Sequence, residues 1–255
     1  MRLTVVGLGP ANLDRVPSDT RELLADPSRR IIVRTLHHPA ARQLADQRLV
    51  ESCDDLYEGA GTFEEAYEAV ALRVVEAASS GNVVYAVPGS PWWGELAVGR
   101  IRVLAGREGV ELEVVPGESF VEAVLEVVGY DPLDQGLRIL NGHRLPDPLL
   151  LDQPTIIGHL DLPVVLADVA TQLDRVLPSG SLVKLVVGAG DPDVTVVSAP
   201  VAELGPELAG PRTSLFIPAH PGGLVGAIHT MRRLRRECPW DRDQTHHSLV
   251  AQLIE

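Results

Sequence analysis

Cysteine is scarce: the 255-residue chain holds only Cys53 and Cys238, far apart in sequence. That excludes a disulfide scaffold and suits a reducing, cytoplasmic compartment. No apolar run is long enough to span a bilayer, and the opening Met1-Arg2-Leu3-Thr4-Val5-Val6-Gly7 lacks the form of a signal peptide, so no membrane role is expected. Positive charge is short as well. The 22 Lys and Arg against 35 Asp and Glu give a net charge of −13, which argues against non-specific nucleic-acid binding. Several chemical signatures are missing. There is no Gly-x-Ser-x-Gly for a serine triad. Gly7-x-Gly9 lacks the third glycine of a dinucleotide fingerprint. His246 and His247 lack the further ligands of a zinc site, and Cys238 is read as a small buried residue, not a nucleophile.

What remains is an ordinary globular composition, 45% hydrophobic and 22% charged, enough for one large or two modest domains without metal or disulfide staples. The chain is organised around Val83-Val84-Tyr85-Ala86-Val87-Pro88-Gly89-Ser90-Pro91. Its first half is a continuous apolar, β-branched run, the pattern of a strand buried on both faces of a parallel sheet. Its second half is a Pro-Gly turn, which brings backbone close to anything that lies beyond the strand end. Ligands of open α/β sheets sit beyond such carboxyl ends. On this stretch alone, a plain strand-to-helix turn is an equal reading.

Around it, strands at 3–6, 31–33 and 112–115 alternate with helices at 19–25, 39–47, 62–79 and 95–107. The clearest helix starts with Thr62 and Glu65 as a capping box and carries Phe63, Tyr67, Val70 and Val74 on one face. The alternation predicts an α/β domain with a mainly parallel sheet. After a boundary near Val115–Ser119 the pattern changes. Prolines interrupt 131–153, and strands at 137–140, 155–159, 182–187, 194–198 and 214–217 are joined partly by short turns. A helix over 163–176 is expected, with Asp161 as its N-cap. This half predicts a mixed sheet with antiparallel pairs.

Three turns follow apolar strands: Gly7-Leu8-Gly9-Pro10, Pro88-Gly89-Ser90-Pro91 and Pro116-Gly117-Glu118-Ser119-Phe120. Their order and spacing resemble the tetrapyrrole methylase family of S-adenosylmethionine-dependent methyltransferases. The resemblance covers residues 1 to about 217. Ala11 stands where that family has a last glycine, Pro88-Gly89-Ser90-Pro91 replaces Gly-Asp-Pro, and Phe120 replaces a serine. The Val-Pro-Gly-Ser-Pro form resembles the YabN-type subgroup, in which the methylase-like part is fused to a MazG domain. Further on, Cys238-Pro239-Trp240-Asp241 and Gln244-Thr245-His246-His247-Ser248-Leu249 resemble the start of MazG nucleoside triphosphate pyrophosphohydrolases.

The resemblance implies a two-domain α/β fold, with a parallel-sheet N-terminal domain at 1–115 and a mixed-sheet C-terminal domain at 116–217. A truncated helical MazG-like tail fills 218–255. It implies S-adenosylmethionine as cofactor, held by Pro88, Gly89, Ser90 and Pro91 with Gly117, Ser119 and Phe120; Gly158 and His159 would line the adenine pocket. Gly7, Leu8, Gly9 and Pro10 would face a small-molecule acceptor, of tetrapyrrole type in this family. A homodimer is also implied. The other function class is a cofactor-binding or regulatory module serving an attached pyrophosphohydrolase. MazG enzymes hold Mg²⁺ with several carboxylates on neighbouring helices, and only Glu255 falls in that region here. The tail from about 222 onward, with four arginines at 232–236 on a solvated face, is expected to be the least stable part. Residues 1–255 are expected to show no Mg²⁺-dependent release of pyrophosphate from any nucleoside triphosphate. Phosphate detection with added pyrophosphatase measures this, and clear turnover by the pure chain would refute it.

Overall fold

The computed structural model describes residues 2–220 and 222–254. The chain divides into two compact units, Met1–Gly129 with Gly188–Thr195, and Tyr130–Val187 with Val196–Glu255.

The first unit opens with β1 (Arg2–Gly7), α1 (Ser18–Ala25), β2 (Arg30–Val33), α2 (Pro39–Ala45), β3 (Glu51–Ser52) and α3 (Asp54–Gly59). It continues with α4 (Phe63–Ser80), β4 (Val83–Val87), α5 (Leu96–Glu108), β5 (Glu111–Val115) and α6 (Phe120–Val128). The sheet has five strands in the order β3-β2-β4-β1-β5, and each pair is parallel. The chain leaves β1 toward β2 on one side and leaves β4 toward β5 on the other. Neighbouring strands whose connections depart in opposite directions define a switch point, and here it falls between β1 and β4.

β4 is buried along its whole length. Val83, Tyr85 and Val87 join the core under α4 and α5, whereas Val84 and Ala86 join the core under α1 and α2. The period-two alternation of a strand sends neighbours to opposite faces, so both faces require apolar residues. Each such side chain contributes about 1.5–3 kcal/mol when fully buried. The helix α4 starts as expected: Thr62 Oγ1 accepts from the Glu65 amide at 3.2 Å, and Glu65 accepts back from the Thr62 amide. The expected apolar face is only partly inward. Val70 and Val74 are buried, but Phe63, at 57% exposed, lies on the surface with its ring stacked on Tyr67. Phe63 is the first residue of α4 and does not belong to the core cluster that Val70 and Val74 join.

The first stretch of the first unit runs through α6 to Gly129. The reason is electrostatic as well as apolar. Arg15 reaches Glu118 and Glu126, each at 2.9 Å, so both ends of this segment are tied to the chain that follows β1.

The second unit contains α7 (Pro132–Gln135), β6 (Arg138–Asn141), β7 (Thr155–Gly158), α8 (Pro163–Asp174), β8 (Leu182–Val187), β9 (Thr195–Pro200) and β10 (Thr213–Ile217). Its sheet order is β6-β7-β10-β8-β9, with β6/β7 parallel and β10 antiparallel to β7 and β8. The expected mixed sheet is therefore present. Leu166, Val169 and Leu173 of α8 pack on Ile157, Leu185 and Leu215. Asp161 does not cap α8: Leu162 takes that position with Pro163 behind it, and Asp161 instead meets His143 Nε2 at 2.6 Å.

The chain then forms α9 (Gly223–Glu237), α10 (Pro239–Asp243) and α11 (His246–Ile254). No described side chain from 222 to 250 is buried, and Arg232, Arg233, Arg235 and Arg236 are exposed as expected. Cys238, read as buried, is only half-buried at the junction of α9 and α10. Glu255, the expected metal ligand, lies outside the described residues, as do the side chains of Leu224, Leu253 and Ile254. No helix among the described residues is long and apolar enough to cross a membrane.

The capping box of α4 gives a test of the local reading. Thr62→Ala removes the acceptor for the Glu65 amide and is expected to lower stability by about 1 kcal/mol. Urea unfolding should show a lower midpoint with an unchanged slope.

Candidate functional site

The carboxyl ends of β1, β4 and β5 converge. The Leu8 amide donates to Val87 O at 2.8 Å. The Gly9 amide donates to Gly89 O at 3.0 Å, and the Gly89 amide to Gly9 O at 2.7 Å. This reciprocal pair closes the two turns on each other at the switch point. Both residues are left-handed, Gly9 at φ +70° and Gly89 at φ +59°, where only glycine sits without strain.

The glycines divide by what surrounds them. A Cβ on Gly7 would press on Gly89 O and lie 2.7 Å from the Gly117 nitrogen and 2.8 Å from its Cα. A Cβ on Gly117 would meet Gly7 in return, with Cα at 2.8 Å. These two residues let three backbones touch. Gly89 is different: the nearest atoms to its missing side chain are Glu118 O at 3.8 Å and Phe120 N at 4.0 Å. Gly9 is equally open, with only Arg15 O at 3.9 Å. So Gly7 and Gly117 brace the strand ends, whereas half-buried Gly89 has room beside it that a side chain would fill; Gly9 has similar room but is itself buried.

Around them, Leu8, Pro10, Ser90 and Pro91 are buried. Ser119 is also buried and caps α6. Its Oγ accepts from the Val121 amide at 3.2 Å, and its own amide donates to Glu122 at 3.0 Å. Phe120, read as part of a turn, is the first residue of that helix. Arg15 reinforces the Pro116–Phe120 turn through Glu118 and also donates to Gly190 O at 3.4 Å. Gly190, at φ +93°, has a place for a Cβ only 2.9 Å from Pro10 Cγ, so the 188–195 loop packs closely on the first turn.

Gly158 and His159 belong to the second unit, at the end of β7. Gly158 is buried and accepts from the Gly142 amide at 2.8 Å; His159 is exposed in the left-handed region at φ 57°.

Sequence reasoning missed a charged cluster beside the Pro88–Pro91 turn. Glu95, just before α5, is 8% exposed, and its Oε1 stands 3.5 Å from Nη1 of Arg34, which follows β2. The Arg34 guanidinium lies 5.4 Å from the centre of the Tyr57 ring, with Nε 3.4 Å from its hydroxyl. Burial pushes the Glu95 carboxyl above the usual carboxylate range, and Arg34 only partly offsets this. Burial works against the Arg34 charge too, yet Glu95 and Tyr57 hold its pKa above the ordinary value. Desolvation also raises the fully buried Tyr85 hydroxyl. It pushes the Cys53 thiol up to about 11, which makes Cys53 a core residue and not a thiolate nucleophile. The signal for this cluster was faint: single charges at the end of an apolar strand and before an apolar helix. No group of three or more His, Cys, Asp and Glu among the described residues is placed to hold a metal ion.

Parallel strands, a switch point and backbone turns that meet there define an open-sheet α/β domain, followed in the chain by a mixed-sheet unit. The chain belongs to the family of Tetrapyrrole (Corrin/Porphyrin) Methylases, whose model matches residues 2–205. It is 32% identical over 264 residues to "Uncharacterized protein YabN" of Bacillus subtilis (strain 168), an alignment that takes in 100% of this chain and 54% of YabN. The chain thus spans about half the length of that curated relative.

Solved methyltransferases share the fold. A diphthine synthase is 17% identical with a TM-score of 0.65, covering 89% of this chain and 94% of that one. The methyltransferase CobJ is 18% identical with a TM-score of 0.64, covering 86% and 94%. The uroporphyrin-III-C-methyltransferase from Thermus thermophilus is 20% identical with a TM-score of 0.63, covering 96% and 98%. The α/β tetrapyrrole methylase-like fold expected from the sequence, with its parallel and mixed sheets, is therefore present.

Gly7→Ala tests the bracing role. The new methyl has no space between Gly89 O and Gly117, so the variant is expected to lose about 1–3 kcal/mol in urea unfolding. Combined with Gly117→Ala, the loss should be clearly non-additive, because both methyls compete for the same gap.

Proposed function

We propose that the chain is an S-adenosylmethionine-dependent methyltransferase of the tetrapyrrole methylase type, acting on a small-molecule acceptor. The observation that carries this reading is the unfilled space beside Gly89 at the β1/β4 switch point, where Gly7 and Gly117 hold the strand ends together. A cradle that a side chain would fill suits a ligand that lies against main chain. Bound S-adenosylmethionine supplies an electrophilic methyl group on a sulfonium.

The residues' part is to bind and orient. Pro88, Gly89, Ser90 and Pro91 offer backbone groups to the cofactor. Gly117, Ser119 and Phe120 hold the third strand end in place. Gly7, Leu8, Gly9 and Pro10 present the first turn to the acceptor, and Gly158 and His159 are proposed for the adenine. In-line transfer needs donor and acceptor held at reacting distance and angle, a contribution of about 7–11 kcal/mol when orientation is complete. It does not need a general acid or base on the cofactor side. A tetrapyrrole acceptor and a homodimeric state are part of the proposal by family.

A second reading is supported by the motif at 238–249 and by the greater length of YabN. In it, these residues begin a MazG-type pyrophosphohydrolase domain, and the methylase-like part is its cofactor-binding or regulatory module. Mg²⁺ would then serve only a complete MazG domain. Methyl-release assays against a tetrapyrrole panel separate the two, since the module reading requires binding without turnover.

Gly89→Val is the direct test of the site. A β-branched side chain at φ +59° both strains the turn and fills the cradle. Titration calorimetry with S-adenosylhomocysteine should show binding by the wild type and at least a tenfold loss in the folded variant, roughly 1.4 kcal/mol. Equal affinity would remove the cofactor from this turn.

A further inference from the structure

The loop from Pro88 to Glu95 is held at both ends. At its start, Gly89 exchanges two backbone hydrogen bonds with Gly9. At its end, the buried Glu95 carboxylate meets Arg34. Arg34 stands on firm ground, because its amide donates to Ala86 O at 2.8 Å. Ala86 lies in β4, the strand that runs directly into Pro88. The two ends of the loop are thus referred to the same strand. Between them the loop has a single turn bond, from the Trp93 amide to Ser90 O at 3.1 Å, and both tryptophans are largely exposed, Trp92 at 54% and Trp93 at 41%. Ser90 and Pro91 are buried, and the Arg102 guanidinium lies 5.1 Å from the centre of the Trp92 ring.

An ion pair with one partner buried and the other a third exposed is a poor source of stability, because desolvation offsets much of the attraction; its better use is to select one arrangement. We propose that Arg34 and Glu95 form a positioning pair: they fix the far end of the 88–95 loop and so set affinity for an adenosyl ligand at Gly89 without touching it. The inference rests on the cofactor reading given above.

The groups that face Glu95 are Arg34 after β2, Tyr57 on α3, Tyr67 on α4 and Tyr85 on β4, with Cys53 beside Tyr85. Arg34 alone among them is charged at neutral pH. The raised carboxyl has a signed consequence. The ion pair exists above the folded-state pKa of Glu95 and is lost as pH falls through it, at higher pH than for an exposed carboxylate. Protonation there favours the folded state, so acid should weaken ligand affinity before it weakens the fold through this group. A merely structural role would move both together.

Titration of the full chain with S-adenosylhomocysteine, from neutral to mildly acid pH, tests this. Wild-type affinity should fall on acidification while the thermal midpoint holds. Glu95→Gln should bind about tenfold more weakly at neutral pH, within the range expected for a small misplacement. Its pH profile should be flat. A double variant, Arg34→Met with Glu95→Leu, avoids an unpaired buried charge and should fold with the same weakened affinity. Wild-type affinity in either variant overturns the positioning role while leaving the cofactor site standing. No binding by the wild type, with folding intact, overturns both.

Discussion

Everything at the strand ends depends on backbone touching backbone. Three parallel strands finish at one point, and a single methyl group on Gly7 or Gly117 would hold them apart. Close packing leaves no slack for that methyl. The hydrogen bonds between Gly9 and Gly89 follow from this approach. A bracing glycine and one with room beside it look alike in sequence; they differ only in what occupies the space beside them.

The second constraint is the burial of β4 on both faces. It requires the run from Val83 to Val87 to be apolar, and so moves polar work to the residues beyond its end. Arg34 and Glu95 sit there, close to a strand that carries no charge of its own. Tyr85 is the exception within the strand: it is fully buried, and its hydroxyl has no hydrogen-bond partner among the described residues. A buried hydroxyl without a partner is costly. We have no physical account of why tyrosine rather than phenylalanine stands there.

Much of the architecture was legible because it rests on local rules. Alternating apolar strands and helices gave the parallel sheet, and short turns in the second half gave the mixed one. Thr62 and Glu65 announced α4 because a capping box is a contact between residues three apart. The same signal stood at Ser119 and Glu122, with Gly129 as a left-handed stop, yet α6 was hidden because those residues also read as a glycine turn. Asp161 shows the opposite failure. It precedes an apolar helical run, as a cap should, but His143 lies within hydrogen-bond reach and Pro163 already starts the helix.

The sequence by itself determined the class of each half, the buried central strand and the three glycine turns, because periodicity, capping and turn chemistry act over a few residues. It also determined the family resemblance, through the order in which those turns occur. The tertiary structure decided which glycines brace and which have room beside them. It decided that Arg15 ties Glu118 and Glu126, more than a hundred residues on, to the first turn. It also decided that Glu95 finds Arg34 across two strands and three helices of intervening chain. The physical reason is common to all three. Each depends on distance and on the solvent removed from around a group, and those are set only when segments remote in the chain have packed together.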